Sequence, residues 1–165
     1  MGTLVQRYET ILERLVNELQ ETYGARLVAV AVYGSVGRGT MREDSDVDLL
    51  IVARNLSGRS RRGRELDAVE HRMTPFLEPR VDGASPIVLS PVIKTPEEVR
   101  AGSPLFLDMV EDARILWDPE RFLASYLAGL RERLRRMGAR RIPWKGAWYW
   151  DLKPDFQPGD VFEWP

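Results

Sequence analysis

Leu27-Val28-Ala29-Val30-Ala31-Val32-Tyr33-Gly34-Ser35 and, after ten further residues, Asp46-Val47-Asp48-Leu49-Leu50-Ile51-Val52 are the two stretches that decide the fold of this chain. The first opens with an unbroken apolar run, rich in valine and too short for a stable helix, which reads as a buried strand. Tyr33-Gly34-Ser35-Val36-Gly37-Arg38-Gly39-Thr40 then ends it with three glycines. The second stretch begins another strand. Side chains two apart on a strand share a face, so Asp46 and Asp48 project side by side while Val47 turns to the core. Two carboxylates held that close repel each other, and one pKa rises unless a cation intervenes.

A hard divalent cation such as Mg²⁺ removes the conflict, since it typically takes one or two carboxylates together with substrate phosphates. The glycine turn offers the complement. Glycine lets backbone N–H groups come close to a phosphate, successive N–H groups in a turn form an anion-binding nest, and Ser35 adds a hydroxyl. Together these point to phosphoryl or nucleotidyl transfer, where positioning and charge neutralisation are most of the catalysis. Gly-Ser alone or Asp-x-Asp alone carries little weight. Their conjunction, Gly34-Ser35, residues 36–45, then Asp46-Val47-Asp48, resembles the signature of the DNA polymerase β-like nucleotidyltransferase superfamily, and most of all its minimal, single-domain members.

That resemblance implies an α+β fold, with a mixed sheet of three to five short strands and helices packed mainly on one face. It implies that Gly34 and Ser35, with a short helix starting near Ser35, hold the β and γ phosphates of an NTP, expected to be ATP. Asp46 and Asp48 become the catalytic, Mg²⁺-binding pair. Arg38 lies in the connection, and two readings of it stand: a surface charge, or a phosphate clamp. The resemblance also implies two kinds of role. One is transfer of a nucleoside monophosphate to an acceptor the sequence does not identify, with a protein among the candidates. The other is an antitoxin-like partnership with a HEPN-domain protein, acting mainly by binding. A weaker third is a nucleotide-binding module that has lost transfer.

The 165 residues suffice for one domain with a short extension. A formal net charge of −1 exerts no global pull on nucleic acid or an anionic membrane, so nucleic acid is not expected as the main partner. The absence of cysteine excludes a disulfide framework and thiol chemistry, and the single histidine, His71, excludes a multi-histidine metal site. Arg7, Glu9, Glu13 and Arg14 leave no apolar signal core near the start. No apolar run approaches a membrane span, and the expected setting is the cytoplasm.

Periodicity predicts a helix over residues 3–23, with Leu4, Tyr8, Ile11, Leu12, Leu15, Val16 and Leu19 in one stripe. Thr3 and Gln6 make its capping box and Gly24 its stop. Residues 54–64 carry five arginines and read as a flexible basic loop, either solvated or gathering a triphosphate or anionic acceptor. Leu66, Val69, Met73, Phe76 and Leu77 predict a second helix over 63–77, with His71 on its polar side. Residues 85–93 read as a third strand, interrupted or at a sheet edge because Pro86 and Pro91 cannot donate to a ladder. Many polymerase β-like enzymes carry a third acid on this strand. Here none lies between 85 and 93, and Asp82 precedes it in an Asp-Gly turn. A nucleotide and metal site is therefore better supported than a complete general-base apparatus.

Thr95-Pro96-Glu97-Glu98 and Ser103-Pro104 start two short helices, residues 113–117 a short strand, and Asp118-Pro119 the last long helix, which Gly138 stops. Arg133, Arg135 and Arg136 complement its dipole; with Arg140 and Arg141 they alternatively form a basic patch. Residues 142–165 hold four of the five tryptophans, which is not the composition of a linker. This tail either buries its tryptophans on the domain or offers an aromatic surface to a second subunit, as in a homo-oligomer, or to a partner protein. Trp148-Tyr149-Trp150-Asp151-Leu152-Lys153-Pro154 is similar to a C-terminal feature of archaeal-type minimal nucleotidyltransferases. The expected division is a nucleotidyltransferase domain over 1–141 and an extension over 142–165.

Overall fold

Four strands make the central sheet: β1 (Leu27–Tyr33), β2 (Val47–Ala53), β3 (Leu89–Lys94) and β4 (Arg114–Trp117), in the order β3-β2-β1-β4. The described residues of this computed structural model are 3–56, 58–79 and 85–161, with the side chains of 59–61 left aside. The sheet is mixed. β1 runs antiparallel to β2 and β4, while β2 and β3 are parallel. The expected α+β architecture is present.

Both faces of the sheet are covered, which corrects the expectation of helices mainly on one face. On one side α1 (Leu4–Tyr23) and α3 (Arg59–Leu77) lay Tyr8, Ile11, Leu12, Leu15, Leu19, Val69 and Met73 over Val30, Val32, Val47, Leu49 and Ile51. On the other, α4 (Pro96–Arg100), α5 (Leu105–Asp112) and α6 (Phe122–Arg136) lay Val99, Phe106, Met109, Val110, Leu123, Leu127 and Leu130 over Ala29, Ala31, Leu50 and Val52. The cause is visible in β1, whose residues 27–32 are all buried. A strand apolar on both faces needs two layers to bury it. The register of β1 on β2 shifts between Leu27 and Ala29. That bulge turns Val28 and Ala29 to the same layer and resets the alternation.

Local signals placed most helix ends. Thr3 and Gln6 exchange both bonds of the capping box, and Gly24 with φ 51° ends α1. Thr95 and Glu98 do the same at α4, with Pro96 in its first turn. The differences are elsewhere. α3 begins at Arg59 rather than 63, so much of the expected basic loop is helix. α6 begins at Phe122, with Asp118 Oδ2 accepting from the Ala124 N–H at 2.8 Å. β3 starts at Leu89 and is an edge strand, as expected from its prolines. The Val47 N–H donates to the Val88 carbonyl at 2.8 Å, and Leu89 pairs with Val47. That register points the nitrogens of residues 89, 91 and 93 away from β2, so Pro91 costs the ladder no bond. The Asp82 turn and Trp164 lie outside the described residues.

The tail forms a hairpin that its composition did not announce. β5 (Arg140–Trp144) pairs antiparallel with β6 (Ala147–Asp151) as a separate two-stranded sheet. Lys145 and Gly146 make the turn with φ 48° and 79°, the positive values of the tight two-residue turns that match strand twist. Trp150 and Leu152 pack on the α5–α6 layer, while Trp144 and Tyr149 are exposed. Among the described residues no helix is long and apolar enough to cross a membrane.

Candidate active site

The site forms where β1 ends and β2 begins. Gly34 follows Tyr33 with φ 65°, and a Cβ there would lie 2.2 Å from Asp48 Oδ2. Only glycine lets the turn pass this close over the carboxylate. The chain then makes one short helix, α2 (Gly34–Gly37). A Cβ on Gly37 would sit 2.4 Å from the Asp112 carbonyl oxygen, so α2 seats directly on the end of α5. Arg38 follows at once and reaches the Asp112 side chain.

The return connection is pinned from α1. The Tyr8 hydroxyl lies 2.6 Å from the Ser45 carbonyl and 3.0 Å from that of Arg42, and the Arg42 N–H donates to Ser45 Oγ at 2.8 Å. The connection also closes on the glycine turn, where the Thr40 N–H donates to the Ser35 carbonyl at 2.9 Å. This holds Asp46 exposed at the mouth, one residue before β2, and Asp48 half-buried within the strand. Asp48 stands in register with Tyr33 on one side and Ser90 on the other. The β3 position beside Asp48 is thus a hydroxyl rather than an acid.

Gly34, Ser35, Arg38, Asp46 and Asp48, the five residues singled out in the sequence, all line one cavity of about 590 Å³ with Thr40, Arg42 and Ser45. Its size suits a small-molecule ligand. Burial pushes the Asp48 carboxyl above the usual range, the Asp46 charge adds to this, and Arg38 partly offsets it. Neither aspartate has an ion-pair partner among the described residues. No cluster of three potential metal ligands occurs there either. Two unpaired hard oxygen donors with a raised carboxyl pKa are a donor set that fits Mg²⁺.

Three residues at this site carried no such signal in the sequence. Asp112, buried at the end of α5, takes Arg38 Nη1 at 2.7 Å and both Arg141 Nη1 and Nη2 at 2.9 Å. Burial alone would raise its pKa, but the bonds from Arg141 and Arg38 outweigh it and hold the carboxyl below its usual range. The Trp148 ring lies 5.0 Å from the Arg38 guanidinium and 3.7 Å from that of Arg141. The indole N–H groups of Trp148 and Trp150 both donate to Asp108 Oδ1, at 2.8 and 3.0 Å. Arg141, read as one member of a basic patch, is instead a bridge between hairpin and domain.

Residues 12–116 match the family described as "Nucleotidyltransferase domain". The chain is 27% identical over 129 residues to a Methanocaldococcus jannaschii protein named "Putative protein adenylyltransferase MJ1305", covering 77% of this chain and 83% of that protein. Among solved structures it resembles spectinomycin adenyltransferase AAD(9) from Enterococcus faecialis with ATP and spectinomycin. There the TM-score is 0.51 at 11% identity, over 70% of this chain and 58% of the other. It also resembles a chain in the complex of a tri-AMPylated Shewanella oneidensis HEPN toxin with an MNT antitoxin, with TM-score 0.46, 11% identity and 79% and 92% coverage. The match spans most of the chain and contains the whole Gly-Ser and Asp-x-Asp unit. The chain belongs to the nucleotidyltransferase domain family and is an enzyme of that transferase class.

Proposed function

We propose that this chain is a Mg²⁺-dependent adenylyltransferase that moves AMP from ATP to a protein side chain. The observation that carries the reading is the single cavity in which an Asp46–Asp48 pair without ion-pair partners faces the Gly34–Ser35 turn. The similarity to a protein named for protein adenylylation supports the donor and the acceptor class.

Gly34 and Ser35 bring backbone N–H groups and a hydroxyl to the β and γ phosphates. Arg38 adds a charged donor at the cavity wall. Asp46 and Asp48 hold the Mg²⁺, which when bound neutralises phosphate charge and stabilises the leaving pyrophosphate. The acceptor oxygen attacks the α-phosphorus in line, the bond to the pyrophosphate oxygen breaks, and the acceptor proton leaves to solvent or to a base. Asp46, exposed at the cavity mouth, marks the side from which the acceptor hydroxyl enters.

The division into a catalytic domain over 1–141 and an extension over 142–165 belongs to this proposal, with β5 crossing the boundary and Trp148 and Trp150 holding the extension on Asp108. A second reading is favoured by the exposed Trp144 and Tyr149, which suit a protein partner of HEPN type. Incubation of purified chain with α-phosphate-labelled ATP, Mg²⁺ and a cell extract tests the first reading. Label on protein with wild type, and none with Asp46→Asn/Asp48→Asn, supports it. Label confined to nucleic acid or small molecules overturns the protein acceptor.

A further inference from the structure

We infer that the C-terminal hairpin is part of the nucleotide site: Asp112, Arg141 and Trp148 are positioning residues that hold the Arg38 guanidinium against the phosphate cavity. The inference rests on the nucleotide reading of that cavity and adds to it a task for the tail.

The backbone places Arg38, and two side-chain contacts then converge on it. Gly37, by lacking a side chain, seats α2 on the end of α5 and sets Arg38 beside Asp112. The Asp112 carboxylate fixes one nitrogen, Nη1, at 2.7 Å. The Trp148 ring covers the guanidinium at 5.0 Å. Among the described residues no hydrogen bond occupies Nε or Nη2 of Arg38, and its side chain, 32% exposed, lines the cavity. One corner of the fork is therefore anchored while its other donors stay available to an anion.

The anchor is itself built by the hairpin. Arg141 clamps both oxygens of Asp112 at 2.9 Å, its guanidinium stacks at 3.7 Å on the same Trp148 ring, and Trp148 is fixed by its N–H on Asp108. Arg141 also pairs with Asp108 at 3.9 Å, so the two arginines face two carboxylates and the cluster offers the cavity wall a fixed guanidinium rather than a surplus of charge. A flexible arginine would lose rotamer freedom on meeting a triphosphate. One already held between a carboxylate and an aromatic ring loses less, which is how preorganisation raises affinity. Removing the ring should then affect nucleotide binding through Arg38, both directly and by loosening the Arg141–Asp112 clamp that holds it.

The test is calorimetric titration of ATP with Mg²⁺ into wild type, Trp148→Ala, Trp148→Phe, Arg38→Ala and the Arg38→Ala/Trp148→Ala double variant. Trp148→Ala is expected to weaken binding about tenfold. Trp148→Phe keeps a ring over both guanidiniums but loses the N–H that holds it on Asp108, and is expected to lose clearly less than Trp148→Ala. In the Arg38→Ala background the Trp148→Ala change should have no further effect, the non-additivity expected of residues acting through one another. A Trp148→Ala cost that is absent, that Phe does not rescue, or that persists undiminished without Arg38 overturns the inference while leaving the nucleotide site standing. If wild type binds no ATP, the nucleotide reading falls and this inference with it.

Discussion

The aspartate end of the sheet and the C-terminal hairpin meet at Arg38, and they are built by opposite rules. At the sheet end, neighbours in space are neighbours in sequence. Gly34 and Asp48 approach so closely that a Cβ would collide, because one short connection joins the strands that carry them. In the hairpin the deciding contacts span long stretches of chain. Asp112 draws in Arg38 across 74 residues and Arg141 across 29. The first region is held by backbone pairing and by burial of every residue of β1 and β2 except Tyr33 and Asp48. The second is a two-stranded sheet, which has little stability of its own. It depends on a few charged and aromatic contacts to stay in place. Local geometry creates this site, and distant charge pairing tunes it.

That contrast can be broken or sharpened by substitution. The largest expected effect belongs to the sheet end: Asp46→Asn/Asp48→Asn should lower transfer by roughly 10²–10³-fold or more, with circular dichroism unchanged. Next, Asp112→Asn leaves two arginines without their carboxylate. Because both are partly exposed, the cost is about 2 kcal/mol rather than that of a fully buried pair. Its pH dependence has a definite sign. The folded-state pKa is depressed, so the stabilisation is complete above the ordinary aspartate range and is lost as pH falls through the folded value. Thermal melts of wild type and Asp112→Asn should therefore converge at low pH. Gly34→Ala follows, with about 1–2 kcal/mol of backbone strain and a methyl group forced onto Asp48; urea titration reads the first and loss of nucleotide binding the second.

A smaller effect has the opposite direction. Asp48 carries a raised pKa, so its ionisation disfavours the fold as pH rises from the ordinary aspartate range through the folded value. Asp48→Asn is expected to raise the melting temperature at neutral pH and to lose that advantage in acid. The smallest effect is on the hairpin's outer side. Trp144→Ser and Tyr149→Ser should each change stability by less than about 0.5 kcal/mol, because both side chains are exposed. A larger cost would show that the outer face is packed in solution.

How much of this was legible in the residues follows the same divide. The valine run of β1, the Gly34-Ser35 turn, the Asp46–Asp48 pair and the capping boxes at Thr3 and Thr95 are local patterns with local causes, and each appears where its spacing put it. The second helical layer was foreshadowed by six successive apolar residues in β1, a strand with no solvent face. Arg59 joined α3 because glycine and serine mark a break in sequence but do not forbid a helix once its far end is packed on α1. The hairpin was hidden by its composition: prolines and tryptophans obscure strand alternation, and Lys145-Gly146 is a weak turn signal. Trp148 and Trp150 do lie two apart, which in a strand puts them on one face. Their common partner Asp108 and the shared Asp112 lie in a different helix, and no pattern within the tail points to them.

In the proposed function the cavity between Gly34 and Asp48 binds a nucleoside triphosphate through its two carboxylates. Calorimetric titration of ATP into wild type and into Asp46→Asn/Asp48→Asn, each with Mg²⁺ and with chelator, tests it most directly. The expected result is saturable binding to wild type that requires Mg²⁺ and is absent from the double variant. Binding that survives both chelation and the loss of both carboxylates, or no binding by folded wild type, would contradict it.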